Sequence, residues 1–119
     1  EFRARLPQGT AIELEVPVSD DPRDIRAWDA VIVLGGCRCA VECVTRFHDC
    51  QAQLRQLHLK QRDGAVERLI VVVGATPHNR RALAGTGDVL SATFPLGTRR
   101  VLRALAAAQD PGANGIVLL

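Results

Sequence analysis

Residues 28–44 read WDAVIVLGGCRCAVECV, two apolar runs that meet at Gly35-Gly36. A glycine pair between two such runs is typical of a tight hairpin turn, because both turn residues must adopt a positive φ. The pattern predicts two antiparallel strands, the first from Trp28 to Leu34 and the second from Cys37 to about Thr45. The rest of the chain is then expected to assemble around this hairpin.

One acidic residue interrupts each predicted strand, Asp29 in the first and Glu42 in the second. Because the two positions are symmetric about the turn, we expect the acids to lie opposite each other with Cβ atoms about 5 Å apart. Carboxylates that close repel each other unless a cation or a proton lies between them. Such a pair suits weakly held Mg²⁺, which activates water for phosphodiester hydrolysis. Glu15, on the preceding strand, is a third candidate for this site.

A structural role for the same acids is the alternative interpretation. Asp29 would then cap the chain or form a salt bridge with Arg26 or Arg46, and Glu42 would pair with Arg38 along the strands. The residue types alone leave both interpretations open.

The segments around the hairpin predict an α/β fold with a central mixed sheet of about five strands flanked by helices. Ile12, Leu14 and Val16 alternate with acids and are expected on one face of the first strand. The helix after the hairpin is expected to pack Cys50, Leu54 and Leu57 on the sheet. The predicted order is α-β-β-β-α-β-α-α-β, with a helix end within 1–9, strands at 10–16, 28–34, 37–45, 68–74 and 115–119, and helices at 49–61, 77–83 and 98–109.

Length and composition predict a single domain, residues 1–119, of ordinary globular character, with 47% apolar and 24% charged residues. The longest apolar run, 69–75, has the length of a strand, so no membrane span or export signal is expected and the cytoplasm is the expected location. A net charge of +2 does not by itself indicate nucleic-acid binding. Since the chain contains no methionine, Glu1 is not expected to be a native translation start, and further sequence is expected before it.

Four cysteines, Cys37, Cys39, Cys43 and Cys50, lie close together in the sequence. Zinc knuckles usually have a C-x(2–4)-C spacing flanked by turns, whereas the C-x-C here falls inside a predicted strand. Small buried thiols are therefore the favoured interpretation, and no cofactor is expected.

The order of an acid, a hairpin with an acid on each arm, a helix and a strand resembles the PD-(D/E)XK core of restriction-endonuclease-like proteins. More specifically, the chain resembles the C-terminal domain of actinobacterial regulators that carry an N-terminal XRE-type helix-turn-helix. The matching stretches are 26–32, Val41-Glu42, Thr45-Arg46, 59–64, His78-Asn79-Arg80, Phe94-Pro95-Leu96, Asp110-Pro111-Gly112 and 116–119.

The resemblance implies a non-catalytic dimerisation, sensory or partner-binding domain of a transcriptional regulator. It also implies DNA binding by a missing N-terminal domain, a homodimer and, where the regulator is the antitoxin of a toxin–antitoxin operon, a toxin as protein partner. A Mg²⁺- or Mn²⁺-dependent nuclease is the first alternative, and a small-molecule binding module is the second.

The departure from the nuclease pattern is that Val44 stands where active enzymes carry a lysine two positions after the second acid. Lys60 is the chain's single lysine, and its place in the following helix predicts a separation of roughly 20 Å along the helix axis from Thr45, which is too far to reach back. Arg46, Gln51 and Arg55 are therefore the better candidates for contact with a phosphate or a partner. The sequence thus leans against an enzyme.

Overall fold

A mixed five-stranded sheet lies at the centre of the protein in the computed structural model, which describes residues 2–119. Within these residues, the α/β class predicted from the sequence is confirmed. The elements, in chain order, are β1 (Ile12–Pro17), β2 (Ala27–Leu34), β3 (Cys37–Val44), α1 (Cys50–Asp63), β4 (Arg68–Val73), α2 (Pro77–Ala84), α3 (Thr98–Ala106) and β5 (Gly115–Leu118), with short 3-10 helices at Arg3–Arg5 and Gly87–Leu90.

The predicted two-residue hairpin joins β2 to β3. Leu34 pairs with Cys37, and the ladder runs back to Ala30 opposite Val41. Gly35 and Gly36 have φ values of 55° and 78°, the left-handed conformation that the favoured hairpin turn requires. A Cβ atom at Gly35 would also lie 3.1 Å from the backbone nitrogen of Asp110, a tight contact that glycine avoids.

The strands follow their chain order across the sheet, β1-β2-β3-β4-β5. The first three are antiparallel neighbours, whereas β3, β4 and β5 run parallel to one another. Parallel neighbours need a crossover connection. Here α1 makes the crossover from β3 to β4, and the segment containing α2 and α3 makes the crossover from β4 to β5.

Helices cover the two faces of the sheet unequally. On one face, α1 and α2 pack over a core that includes Trp28, Phe47 and Leu54. On the other face, Val101 and Leu105 of α3 pack on a second core. Strand β4 contributes to both cores and is buried along nearly its whole length, as its uninterrupted apolar sequence predicted.

The sequence of α1 explains both its start and its packing. The Asp49 side chain accepts a hydrogen bond from the Ala52 backbone nitrogen and so caps the first turn. Cys50 and Leu54 are buried against the sheet, and Leu57 packs partly buried beside them, which confirms the predicted packing face. The helix continues to Asp63, two residues beyond the predicted end.

The predicted single apolar face of β1 is wrong. Ile12 packs against the core on the α3 side, while Val16 packs against the core beneath α1. The chain changes faces at Glu15, which has a φ of 50°. Neighbouring β2 changes faces at the same level, since Trp28 joins one core and Ala30 the other. Asp29, between them, is the residue at which β2 switches.

The last helix is shorter than predicted. We expected it to run to Gln109, but α3 ends at Ala106, and Ala108 adopts a φ of 52° that a helix cannot accommodate. Among residues 2–119, no helix combines the length and the apolar character that crossing a membrane would require.

Candidate functional site

Asp29 lies at the switch point of β2, with its side chain exposed. Its Oδ2 atom accepts a hydrogen bond of 2.8 Å from the backbone nitrogen of Cys43 on β3. The regular β2–β3 ladder ends one pair earlier, at Ala30 and Val41. The Asp29 carboxylate therefore accepts a hydrogen bond as a main-chain carbonyl oxygen would. It links β2 to β3 just beyond the last regular residue pair of the hairpin.

Glu42 lies on the face of β3 that α1 covers and is only 7% exposed. Burial raises the pKa of its carboxyl group to about 7, because a low-polarity surrounding disfavours the charged form. Lys60 opposes this shift, whereas the nearby carboxyl group of Asp29 adds to it. The two acids predicted from the hairpin thus interact, although Asp29 is exposed and Glu42 is buried.

Lys60 forms an ion pair with Oε1 of Glu42, so the prediction that this lysine lies too far away is wrong. Because β3 and β4 are parallel, α1 must run back across the sheet, and this return brings its C-terminal half over the hairpin. The Lys60 ammonium also donates to the Ala27 carbonyl oxygen at 2.6 Å. It lies 4.7 Å from the centre of the Trp28 ring, a cation–π contact.

Asp29 does accept from a backbone N–H group, as the capping role weighed for it requires, but the ion pairs weighed with Arg26 and Arg38 are not the ones that form. Arg26 pairs with Asp24 and Asp63 rather than with Asp29. Glu42 pairs with Lys60 rather than with Arg38, whose guanidinium donates to the Ala65 carbonyl oxygen.

Glu15, the third acidic candidate, lies on β1 at the level of Asp29, between the pairs Leu14–Ala30 and Val16–Trp28. It is exposed, and its positive φ takes it out of the regular ladder. Val44, at the position of the nuclease lysine, packs partly buried against the core. Because valine has no ionisable group, this position supplies no positive charge.

Of the three residues predicted to contact a phosphate or a partner, the structure brings two together. Gln51 and Arg55 lie on the exposed side of α1 and line a shallow groove of about 230 Å³ together with Phe94. Arg46 is exposed in the bend that follows β3 and does not line this groove.

A metal centre finds little support in the part of the chain that the structure describes. No group of three or more His, Cys, Asp or Glu side chains is placed to hold a metal ion within residues 2–119. Asp29 and Glu42 supply two carboxyl groups, and an ammonium group already neutralises the second. All four cysteines are free thiols: Cys37, Cys39 and Cys50 are buried, while Cys43 is exposed.

An apolar groove of about 490 Å³ opens on the face of the sheet that carries α3, and we call it the open-face groove. Asp29 and Cys43 lie on its wall. Its remaining lining is mostly aliphatic and comes from β1 to β4, the N-terminal segment and the chain's last residue, including Leu6, Ile12, Leu14, Ala30, Ile32, Val41, Val72 and Leu119. The sequence did not predict this groove, because the exposure of its aliphatic lining, such as Leu14 at 66%, is visible only in the structure.

Asn79, in the stretch His78-Asn79-Arg80, is a buried structural residue. Its side-chain nitrogen donates to the carbonyl oxygens of Thr45 and Gly74, and its oxygen accepts from the Phe47 backbone nitrogen. It therefore joins the ends of β3 and β4 to α2 next to the site.

Comparisons with protein-family models, curated proteins and solved structures give no match for this chain.

Proposed function

We propose that this chain is a non-catalytic domain with a PD-(D/E)XK-like core, serving as the C-terminal dimerisation, sensory or partner-binding domain of a helix-turn-helix transcriptional regulator. The observation that carries the non-catalytic part is the position of the Lys60 ammonium group. It contacts Glu42, the Ala27 carbonyl oxygen and the Trp28 ring at once.

An ammonium group has three N–H donors. Two hydrogen bonds of Lys60 go to Glu42 and to the Ala27 carbonyl oxygen, and the Trp28 ring lies against the same ammonium group. A nuclease needs a positive group that is available to the scissile phosphate or to the attacking water, and such a preorganised contact contributes about 3–4 kcal/mol to catalysis. The Lys60 ammonium group is instead held by groups of the protein itself. Its charge also compensates Glu42, which removes much of the attraction that a divalent cation would feel.

The strand arrangement supports a relationship to the nuclease core. An antiparallel hairpin bears one acid on each arm, a helix follows it, and the next strand is parallel to the hairpin's second arm. This is the order of elements on which the resemblance rests. The proposed degeneration consists of Val44 at the lysine position and of the internal pairing of Lys60.

The regulator role draws its support from the resemblance and from the logic of operator binding. Helix-turn-helix proteins usually read two-fold operators, so a domain that fixes the spacing of the two half-site readers has a physical purpose. We therefore propose a homodimer that binds DNA through a preceding domain. In a toxin–antitoxin operon the toxin would be its protein partner.

A Mg²⁺- or Mn²⁺-dependent nuclease is the second candidate, and one observation favours it. Asp29, Glu42 and Lys60 lie in one cluster, the combination of two acids and a lysine that the nuclease pattern requires. The two candidates differ in whether this cluster reacts with nucleic acid or only holds α1 on the hairpin.

The deciding experiment incubates the chain with plasmid, single-stranded DNA and RNA in Mn²⁺. The variants are Asp29→Ala, Glu42→Ala and, as a matched control, Glu13→Ala, which removes an exposed acid of β1. We expect no cleavage above the level common to all four proteins. Cleavage that disappears in Asp29→Ala and Glu42→Ala but persists in Glu13→Ala would show that the domain is an enzyme.

The regulator role has a separate test in the gene itself and in solution. We expect the reading frame upstream of Glu1 to encode a helix-turn-helix, and sedimentation velocity to show a dimer of the product. An intact product that lacks such a domain, or that sediments as a monomer at micromolar concentration, would contradict this part of the proposal.

A further inference from the structure

The open-face groove has the size and the lining of a ligand site. Its volume of about 490 Å³ lies within the range of roughly 300–1,000 Å³ that is usual for small-molecule sites. Such sites combine an apolar wall with a few convergent polar groups. Here the wall is aliphatic, and the polar groups include Asp29, Cys43 and Thr45.

Asp29 is the acidic side chain on this wall and is held in position. Its hydrogen bond from the Cys43 backbone nitrogen fixes one carboxylate oxygen against β3. Within the described part of the chain, no basic side chain forms an ion pair with it. The carboxyl group of Glu42 lies beside it and interacts with it. A carboxylate that has no cationic side-chain partner and is fixed at the edge of an apolar cleft complements a ligand that joins a cationic group to an apolar body.

The carboxyl groups around Cys43 also favour a cationic ligand over an anionic one. Burial raises the pKa of the Cys43 thiol, and the charges of Asp29 and Glu42 raise it further. The two carboxyl groups therefore disfavour a negative charge where Cys43 lines the groove. Arg3 also lines the groove, but it is an exposed residue of a three-residue 3-10 helix. Its side chain is less restrained than that of Asp29, so it is the weaker anchor.

We propose that the open-face groove binds an apolar organic cation, an amine whose ammonium group pairs with Asp29 while its hydrocarbon part lies along Ile12, Ala30 and Val41. This proposal names a ligand class for the sensory role proposed above, and the biological purpose of the binding rests on that role. Because binding is measured without nucleic acid, failure of this proposal is distinguishable from failure of the regulator role.

The thiol of Cys43 provides the measurement. It is the exposed cysteine among the four, so its alkylation by the neutral reagent iodoacetamide reports on the groove. The rate is measured at pH 7.5 with increasing n-octylammonium, octanoate or 1-octanol, each below its aggregation concentration, and peptide mapping confirms the modified residue. Octylammonium should slow the reaction with saturation, at a midpoint at least tenfold below those of octanoate and octanol.

Two variants assign the preference to Asp29. Asp29→Asn keeps an oxygen to accept from Cys43 but removes the charge, and we expect octylammonium to lose its tenfold advantage. Glu13→Gln removes an exposed acid of β1 that does not line the groove, and it should leave the advantage unchanged. The proposal is overturned if none of the three probes protects Cys43, if octanoate binds as tightly as octylammonium, or if the preference survives in Asp29→Asn.

Discussion

Glu42 is a carboxyl group at a position where the alternation of β3 would otherwise place an apolar side chain against α1. Its neighbours on the same face of the strand are Ala40, which is fully buried, and Val44, which is partly buried. Burying a charge costs free energy unless a partner compensates it. Lys60 is that partner, and the same ion pair holds the C-terminal half of α1 on the hairpin.

The stability of the fold should therefore depend on pH through Glu42. Its pKa of about 7 in the folded protein exceeds the ordinary value of 4.5, so the folded state holds this proton more tightly. The contribution of Glu42 to the free energy of unfolding is therefore greatest below pH 4.5, and it decreases as the pH rises towards 7. The loss amounts to at most about 3 kcal/mol. Urea unfolding between pH 4.5 and 9 measures it.

The Glu42→Gln variant isolates this effect from other titrating groups. The difference in unfolding free energy between the wild type and Glu42→Gln should change across this window and level off above about pH 8. In Lys60→Met, the pKa of Glu42 should rise further, because Lys60 lowers it in the wild type. A wild-type curve parallel to that of Glu42→Gln at every pH would contradict the assigned shift.

At this scale the sequence reveals Asp29 and Glu42 but not Lys60. An acidic residue within an apolar run is visible directly in the sequence. A lysine in the C-terminal half of a polar helix does not stand out, because its contacts depend on the path of the crossover above the sheet. Likewise, the alternation of apolar and acidic residues in β1 does not indicate the positive φ at Glu15. The change of faces in β1 depends on that positive φ.

Among the elements, the ends of β3 and β4 and the start of α2 are joined through one amide side chain. Asn79 contacts Thr45, Phe47 and Gly74, and its own backbone nitrogen donates to the Thr76 side chain that caps α2. The cap belongs to the helix alone, whereas the Asn79 side chain links three separate segments. The two groups therefore differ in what their loss should do.

Asn79→Ala should destabilise the protein by about 3 kcal/mol or more, because the buried Phe47 backbone nitrogen and the Thr45 carbonyl oxygen lose their side-chain partner and the link from β3 to α2 is removed. Thr76→Ala, which removes only the helix cap, should cost about 1 kcal/mol. Chemical denaturation of both variants measures the difference. Equal losses would mean that α2 formation alone, and not the link between strand ends, accounts for the role of Asn79.

The elements themselves were largely predictable, since each rests on a local signal. Gly35-Gly36 requires a turn whatever surrounds it, Asp49 caps α1, and Thr76-Pro77 opens α2. The open-face groove has no local signal. It depends on how much of the sheet α3 and the N-terminal segment leave uncovered, a property of the assembled layers that no single stretch of sequence carries.

Across the whole molecule, the edge strand β1 is much less buried than the interior strand β4. Strand β4 lies between β3 and β5, and its residues Leu69, Ile70 and Val71 are fully buried. At the edge, β1 pairs with β2 alone among the described strands and exposes most of its residues. Exposed edge strands open locally, while central strands exchange their amide protons only when the whole domain unfolds. The pairing of β1 is therefore expected to be the first part of the sheet to be lost.

Hydrogen exchange should show this order. Amides of β4 are expected to exchange with the free energy of global unfolding, and amides of β1 that bond to β2 with a smaller one. The positive φ of Glu15 adds to the difference, because a non-glycine residue in that conformation carries a strain of about 1 kcal/mol or more. Equal protection of β1 and β4 would show that the sheet unfolds as one unit.

Two glycine variants test the part played by Glu15. Glycine adopts positive φ without steric cost but loses more backbone entropy on folding, about 0.5–1 kcal/mol in a regular strand. Glu13→Gly, at a regularly paired position, should therefore reduce the protection of β1. In Glu15→Gly the relief of strain offsets the entropy, so protection should be equal to or above that of the wild type. Both changes remove an exposed acid of the same strand, so loss of charge cancels between them. If the two variants weaken β1 equally, Glu15 carries no strain in its positive-φ conformation.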